Sequence, residues 1–279
     1  MRLRSLLFVP GDRPDRMEKA LGLGADALIL DLEDSVAPAA KPAARAAIAR
    51  FLRDAPRSAR VLVRVNPLDS GLIDEDVAAV IAQRPDGLVL PKAGGCTSVT
   101  TLVGKAGDIP ILPIATETPA AIFQLGSYAG VSRHLLGMTW GAEDLPAAMG
   151  ASTSREEDGR FTAPYELARS LTLFGAHAAG VAAIETVYPA FRDLDGLAAY
   201  AARARRDGFT GMMAIHPSQV AVINHAFTLR DDELAHARAV IAAFEANPGV
   251  GALQMDGRMI DAPHLAQARR LLAAAGELK

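Results

Sequence analysis

Short apolar runs alternate with longer amphipathic segments along most of this chain. The runs are rich in Val, Ile, Leu or Met and predict eight strands, at residues 6–9, 27–32, 61–65, 88–90, 109–115, 135–138, 181–184 and 211–215. Because these runs are apolar throughout, they are typical of parallel strands that are buried on both faces. The segments between them predict helices, the clearest at residues 14–21, 42–52, 74–82, 119–125 and 164–178.

The order of these elements favours a closed barrel over an open sheet. The first predicted strand is not followed by a glycine-rich phosphate-binding sequence, and Gly22 and Gly24 come after a helix, which they are expected to end. Eight alternations of strand and helix are the pattern of a TIM (β/α)8 barrel, an α/β fold. We therefore expect a catalytic barrel domain at residues 1–230.

The pattern changes after about residue 230. An acidic start at residues 231–233 predicts a helix to about residue 246, a Pro and Gly break follows at residues 248–251, and a final helix begins at about residue 262. We expect residues 231–279 to form a C-terminal helical extension that acts as a lid. The charged stretch at residues 155–158 is expected to be a solvated surface turn.

Composition excludes several classes of partner. The chain has 279 residues, half of them hydrophobic, and its 29 basic and 32 acidic residues give a net charge of -3. These charges are mixed along the chain, without the basic stripe that binds nucleic acid, and no apolar stretch approaches the length of a membrane span. The apolar run at residues 6–10 is too short for a signal peptide, and Cys96 as the single cysteine indicates a reducing compartment. We expect a cytoplasmic protein without nucleic-acid or membrane partners.

Charged residues follow the predicted strands at the points where the strands end. In a parallel barrel the carboxyl ends of the strands form one rim, and catalytic residues lie on that rim. The charged residues at these ends are Asp31, Glu33, Asp34, Arg64, Lys92, Glu117, Glu143, Asp144 and Glu185. We expect this rim to hold the active site.

Two of these carboxylates indicate a metal site. Glu117 and Asp144 follow the fifth and sixth predicted strands, which are neighbours in a barrel. Mg²⁺ prefers oxygen ligands and retains positions for water and substrate, so two protein carboxylates are enough to hold it. The alternative is that each residue is an N-cap or first-turn acid of the helix that follows.

Arg64 ends an apolar strand with a permanent positive charge, which requires an anion. Its planar fork is suited to a carboxylate, and beside Mg²⁺ it would suit an α-keto or α-hydroxy acid. A structural salt bridge to Asp31, Glu33 or Asp34 is the alternative, and the two interpretations are compatible.

Several short motifs occur in order from Arg4 to beyond Asp261. They are RSLLFVPG at 4–11, LDLEDSV at 30–36, Lys41 with Ala44 and Arg45, RVN at 64–66, LPK at 90–92, ET at 117–118, GAEDL at 141–145 and IHPSQ at 215–219. Together they resemble the HpcH/HpaI aldolase and citrate lyase superfamily. The resemblance is greatest to its CitE-like branch, which includes the citrate lyase beta subunit, malyl-CoA lyases and citramalyl-CoA lyases.

This resemblance implies a TIM-barrel carbon-carbon lyase that uses Mg²⁺, with Mn²⁺ as a substitute. The expected reaction is the reversible cleavage of a 3-hydroxyacyl-CoA thioester into an acyl-CoA and an α-keto acid. The implied site residues are Glu117 and Asp144 for the metal, Arg64, Asp261, Glu33 and Asp34 for catalysis, Arg64 and the turn of Gly141, Ala142, Glu143, Asp144 and Leu145 for the substrate, and Lys19 and Lys92 for CoA. Arg64 is expected to contact the keto-acid carboxylate and the developing enolate, and backbone amides of the turn to hold the substrate carboxylate.

The tail at residues 255–264 looks like the lid segment of CoA-ester lyases. In that comparison Asp261 enters the site of a neighbouring subunit and transfers a proton to or from the enolate carbon. The resemblance therefore implies a homotrimer or a dimer of trimers. The alternative is that Asp261 only caps the last helix.

Two positions depart from the family pattern. The family usually has Lys where this chain has Met212, which bears on a contact near the eighth strand, and many relatives have Asp where it has Glu185, a change expected to alter packing rather than the reaction. His216 is expected to be structural rather than a metal ligand. Three other functions stay open: a citrate lyase beta subunit that acts on an acyl-carrier-protein thioester, a malyl-CoA thioesterase or malate-synthase-type enzyme, and a CoA-independent aldolase.

Overall fold

Eight strands alternate with helices through the first four fifths of the chain. The computed structural model describes residues 3–56 and 58–278, so the ends of the expected domains 1–230 and 231–279 lie outside the described residues. The strands are β1 (Ser5–Pro10), β2 (Ala27–Asp31), β3 (Arg60–Arg64), β4 (Gly87–Leu90), β5 (Ile111–Pro113), β6 (Gly137–Thr139), β7 (Ala182–Glu185) and β8 (Gly211–Ala214). The helices between and after them are α1 (Pro14–Ala20), α2 (Lys41–Asp54), α3 (Ile73–Val80), α4 (Cys96–Ala106), α5 (Pro119–Ile122), α6 (Asp144–Met149), α7 (Ala163–Ala178), α8 (Leu194–Asp207) and α9 (Pro217–Ala226). Short 3₁₀ helices lie at Pro38–Ala40, Ile81–Gln83 and Leu125–His134.

The strands form one parallel sheet that curves into a barrel. Their order is β5-β4-β3-β2-β1-β8-β7-β6. Parallel bridges between Ile111 and Leu135 and between Ile114 and Thr139 join β5 to β6 and complete the ring. The predicted TIM barrel is therefore confirmed.

Apolar side chains fill two layers, one inside the ring and one between the strands and the helices. In β2 all five residues are buried. Ala27 and Ile29 pack inside the barrel, while Leu28 and Leu30 pack outward against helices. Side chains alternate across a strand, so only a run that is apolar at every position can serve both layers.

The helices differ from the sequence-based prediction in two ways. The helix expected at residues 119–125 ends at Ile122 and gives way to the 3₁₀ segment, which contains Gly126 and Gly130. Glycine disfavours an α-helix by about 1 kcal/mol, which accounts for the early end. Four helices that were not separately predicted, α4, α6, α8 and α9, lie between or after the strands.

A second compact unit begins at Thr228. It contains α10 (Asp231–Ala246), β9 (Ala252–Met255), β10 (Arg258–Asp261) and α11 (Ala262–Ala275), with its own small apolar core. Both helices were predicted, so the helical extension is confirmed, and β9 and β10 add an antiparallel hairpin between them that was not predicted. Asp256 and Gly257 make its two-residue turn with positive φ at both positions, the conformation that Asp-Gly favours. Among the described helices, none is both long and apolar enough to cross a membrane.

Candidate active site

A cavity of about 1030 Å³ opens at the carboxyl ends of the barrel strands. Eight of the predicted site residues line it, and these are Lys19, Asp34, Arg64, Glu117, Gly141, Ala142, Glu143 and Asp144. The rim expected from the sequence therefore surrounds one cavity. Glu33, Lys92 and Leu145 are not among the residues that line this cavity.

Arg64, the last residue of β3, is the centre of a carboxylate cluster. Its Nε and Nη2 donate to the two oxygens of Asp31 at 2.6 and 2.7 Å, and its Nη1 forms an ion pair with Glu33 Oε2 at 2.7 Å. Asp34 is more distant, at 3.8 Å, and largely exposed. The sequence predicted that the forked guanidinium of Arg64 binds a substrate carboxylate. In the structure Asp31 occupies this fork, so the salt bridge named as the alternative is the one that forms. Arg64 still lines the cavity, so its remaining N–H groups are the ones that a ligand would meet.

The pKa values of the two acids in this cluster shift in opposite directions. Burial alone would raise the pKa of Asp31, but the hydrogen bonds and charge of Arg64 hold it below its ordinary value. Burial raises the pKa of Glu33 above its ordinary value, although Arg64 and Lys92 oppose the rise. Burial works against the charge of Arg64, but Asp31 and Glu33 raise its pKa further, so the guanidinium stays charged.

Lys92 connects this cluster to the predicted metal ligands. Its Nζ lies 2.8 Å from Glu33 Oε1 and 3.3 Å from Asp144 Oδ1, and its backbone N–H donates to Glu117 Oε2 at 2.5 Å. The residue has a φ of 51°, in the left-handed region that non-glycine residues rarely adopt. In this strained conformation the backbone N–H of Lys92 contacts Glu117, while its side chain contacts Glu33 and Asp144. Lys92 was predicted to bind CoA, whereas the structure places it among the acids, and its role toward CoA stays a prediction.

Glu117 is a buried acid whose pKa lies well above its ordinary value. Burial, followed by the nearby charges of Asp144 and Glu33, raises its pKa to about 8, while the N–H of Lys92 opposes this. Gly141 packs closely against this side chain, because a Cβ on that glycine would lie 2.6 Å from Glu117 Cγ. A buried carboxylate beside other acids is a site that a cation would stabilise.

The donor set fits Mg²⁺. Within residues 3–56 and 58–278, no group of three or more His, Cys, Asp and Glu side chains is arranged to hold a metal. Glu117 and Asp144 line the same cavity, and Mg²⁺ commonly takes one or two protein carboxylates and fills its other positions with water and ligand oxygens. The ammonium of Lys92 currently partners Asp144 and would compete with such an ion.

The turn after β6 is only partly available to a substrate. The Gly141 N–H donates to Thr116 Oγ1 at 3.1 Å, and the Thr116 hydroxyl in turn contacts the Gly141 carbonyl. Leu145 is buried in the outer core rather than in the cavity wall. Ala142, Glu143 and Asp144 remain at the cavity, so they are the members of the turn that a ligand can reach.

A buried polar network that was missed from the sequence supports the rim from behind. Lys41 Nζ donates to the carbonyls of Leu32 and Glu33 and to Asn66 Oδ1, at 2.6, 3.0 and 2.7 Å. Asn66 donates to Asp76, which also pairs with Arg45. The signal was present in α2, where Lys41 and Arg45 stand four residues apart on the face that carries buried Ala44 and Ile48.

The positions that depart from the family pattern lie outside the cavity wall. Met212 packs in the outer core. Glu185 is fully buried, accepts from Arg169 Nε at 2.7 Å and also accepts from Trp140 Nε1, so it acts in packing, as expected. His216 caps α9 through the N–H of Ser218, and its ring borders the cavity.

Asp261 belongs to the second unit, where it is the N-cap residue of α11. Its Oδ1 lies 2.6 Å from His264 Nδ1, and its carboxylate is about one-third exposed. Asp261 therefore caps α11, as the alternative interpretation of the sequence predicted.

The barrel and its charged rim define a TIM-barrel enzyme with a carboxylate-rich active site. The model of the HpcH/HpaI aldolase/citrate lyase family matches residues 4–217, and the chain belongs to this family. A (3S)-malyl-CoA thioesterase of Cereibacter sphaeroides is 36% identical over 275 residues, which cover 98% of this chain and 94% of the relative. The mitochondrial citramalyl-CoA lyase of Rattus norvegicus is 32% identical over 301 residues, which cover 99% of this chain and 87% of the relative. The solved structure of CitE from Mycobacterium tuberculosis in complex with magnesium, acetoacetate and coenzyme A is 37% identical, covers 98% of each chain and has a TM-score of 0.82.

Proposed function

We propose that this protein is a Mg²⁺-dependent CoA-ester lyase that cleaves a 3-hydroxyacyl-CoA, such as malyl-CoA or citramalyl-CoA, into an acyl-CoA and an α-keto acid. The observation that carries the proposal is the position of Glu117. It is a buried acid with a pKa of about 8 that shares the cavity with Asp144 and Arg64. Two acids for a metal beside a permanent cation suit a ligand that is itself an acid.

The chemistry separates into proton transfer and stabilisation of charge. Cleavage removes the proton of the 3-hydroxyl group and breaks the bond between C2 and C3. C3 becomes the carbonyl carbon of the α-keto acid, and the electron pair remains on C2 as the enolate of the acyl thioester. Protonation of C2 then completes the acyl-CoA. When held by Glu117 and Asp144, Mg²⁺ would supply Lewis-acid polarisation of ligand oxygens.

Arg64 and Lys92 provide the fixed positive charge of the site. Both are held by acids that raise their pKa, so both stay charged. Preorganised charge of this kind stabilises an oxyanion without a cost of reorientation during the reaction. Glu33 and Asp34 are proposed to act through this cluster, Glu33 by its contacts with Arg64 and Lys92 and Asp34 from the cavity side.

Binding of the CoA portion is proposed for α1. Arg13, Arg16 and Lys19 follow one another at three-residue intervals along α1 and the residue before it, and all three line the cavity. Residues at this spacing share one face of a helix, and phosphates bind to such cationic groups. This cationic edge supports Lys19 as a CoA contact and favours a CoA thioester over a free hydroxy acid.

We further propose that the protein is a cytoplasmic homotrimer, or a dimer of trimers, in which Asp261 of one subunit protonates C2 in the next. Leu167 and Phe174 support an oligomer, because they are two turns apart on α7 and are 57% and 65% exposed. Large apolar side chains exposed on one face are typical of subunit interfaces. Cys96, the single cysteine, supports a reducing compartment.

The deciding experiment is an assay with malyl-CoA and citramalyl-CoA, with Mg²⁺ and after exhaustive chelation. A lyase should release acyl-CoA and keto acid in equal amounts, and chelation should abolish turnover. Release of free CoA without acyl-CoA would instead indicate a thioesterase, the activity named for the Cereibacter sphaeroides relative. Cleavage only when the acyl group is carried on an acyl carrier protein would indicate a citrate lyase beta subunit, and turnover of the free hydroxy acid would indicate an aldolase.

The variants for this assay are Glu117→Gln and Asp144→Asn, which should be inactive but folded. Glu166→Gln is a matched control, because Glu166 pairs with Arg203 on the helical surface outside the cavity. Full turnover in chelated enzyme, or in either rim variant, would refute the metal site.

A further inference from the structure

A buried hydroxyl in the cavity wall has no role in the chemistry above. Thr186 directly follows β7 and lines the cavity, and it is 1% exposed. In the part of the chain that the structure describes, its Oγ1 has no hydrogen-bond partner. Buried hydroxyl groups are ordinarily paired, so an unpaired one beside a cavity indicates a partner outside the protein.

The backbone of Thr186 is held rigidly from the other side of the strand. Its N–H donates to Glu185 Oε1 at 2.9 Å, and Glu185 is fixed by Arg169 and Trp140 in the outer layer. Because successive side chains lie on opposite faces of a strand, Glu185 on the outer face places Thr186 on the inner, cavity face. The backbone that bears the Thr186 hydroxyl is therefore held in place before a ligand binds.

Two residues of the cavity wall close to Thr186 in the fold are apolar. Val187 follows Thr186 in the chain, and Met213 belongs to the neighbouring strand β8, where Glu185 pairs with Met212. Both line the cavity. Neither side chain can accept a strong hydrogen bond, so a ligand that reaches this wall would provide the missing partner.

We propose that the Thr186 hydroxyl hydrogen-bonds an oxygen of the bound α-keto acid, or of the hydroxyacyl group that releases it, and so contributes to substrate specificity. This inference rests on the proposed lyase function. A site that pairs a substrate oxygen discriminates against ligands that cannot supply one at that position.

The test is direct binding of pyruvate and glyoxylate in the presence of Mg²⁺, measured by isothermal titration calorimetry. Thr186→Val keeps the branched shape and removes the hydroxyl, and it should weaken binding of at least one of the two acids about tenfold. Thr186→Ser keeps the hydroxyl and should remain within about twofold of the wild type. Thr139→Val is the matched control, because Thr139 on β6 is also buried with an unpaired Oγ1 but lies outside the cavity lining.

Thermal unfolding separates this role from a structural one. Removal of an unpaired buried hydroxyl should leave the melting temperature of Thr186→Val unchanged or higher. Wild-type affinity for both acids in Thr186→Val, or an equal loss in Thr139→Val, would overturn the proposal. If Thr186→Val does not fold, Thr186→Ala must bind about tenfold more weakly than Thr186→Ser, and equal binding by these two would overturn it. A wild-type protein that binds neither acid would instead overturn the lyase function on which the inference rests.

Discussion

Magnesium binding by this protein should release a proton from Glu117. With a pKa of about 8, this carboxyl group is about 1% ionised at pH 6 and about half ionised at pH 8. Only the ionised form binds the metal, because a coordinating carboxylate must be deprotonated. The apparent affinity for Mg²⁺ should therefore rise about fiftyfold between pH 6 and pH 8 and change little at higher pH.

The same group should make the metal-free protein less stable as the pH rises. The pKa of Glu117 is raised in the folded state from its ordinary value of 4.5, so the unfolded chain releases this proton first. The contribution of Glu117 to the free energy of unfolding is fully present below about pH 4.5. It is lost as the pH rises through about 8, at about 1.4 kcal/mol per pH unit and about 5 kcal/mol in total. Glu117→Gln should remove this dependence, while saturating Mg²⁺ should reduce it in the wild type.

Calorimetric titration of Mg²⁺ at pH 6.5 in two buffers with different ionisation enthalpies measures the released protons. The wild type and Glu166→Gln should each release about one proton per bound ion, since Glu117 is almost fully protonated at that pH. Glu117→Gln should bind Mg²⁺ weakly and without proton release. An affinity that does not change between pH 6 and pH 8, with no proton released, would refute the assignment of Glu117 as a ligand.

Three further predictions concern the rim, the extension and the core. Arg64→Lys should lower turnover about a hundredfold although the charge remains, because an ammonium cannot reproduce the forked contact, and near-normal steady-state rates would contradict this. Mixed oligomers of inactive Asp261→Ala and inactive Glu117→Ala subunits should recover activity, and inactive mixtures whose mixed composition is proved by mass spectrometry would show that Asp261 does not act between subunits. In urea unfolding, Arg169→Met should cost about 3–5 kcal/mol by leaving the buried carboxylate of Glu185 without its cation, whereas Arg203→Met, on a more exposed pair, should cost less than about 1 kcal/mol, and equal losses would contradict the role of burial.

The barrel could be predicted from the sequence because its signal is local. Each strand must supply two apolar layers, so a run such as residues 27–30 is apolar at every position, and the end of each run marks the rim. Glu117 and Asp144 could be assigned to one cavity for the same reason, since neighbouring parallel strands end at the same side of the sheet. The hairpin at residues 252–261 also had a local signal, Asp256-Gly257, but its strands are only four residues long and were included in the helical tail.

The partners of the charged side chains were decided by the tertiary structure. Asp31 and Arg64 are 33 residues apart in the chain, and Lys92 and Glu33 are 59 residues apart, so no sequence period indicates that each pair is in contact. The burial that raises the pKa of Glu117 and the unpaired hydroxyl of Thr186 likewise depend on which side chains close around them. The sequence by itself determined which residues reach the rim, because strand ends follow from local pattern. Only the folded chain determined what each of them binds, because hydrogen bonds and desolvation depend on distances between residues that are remote in sequence.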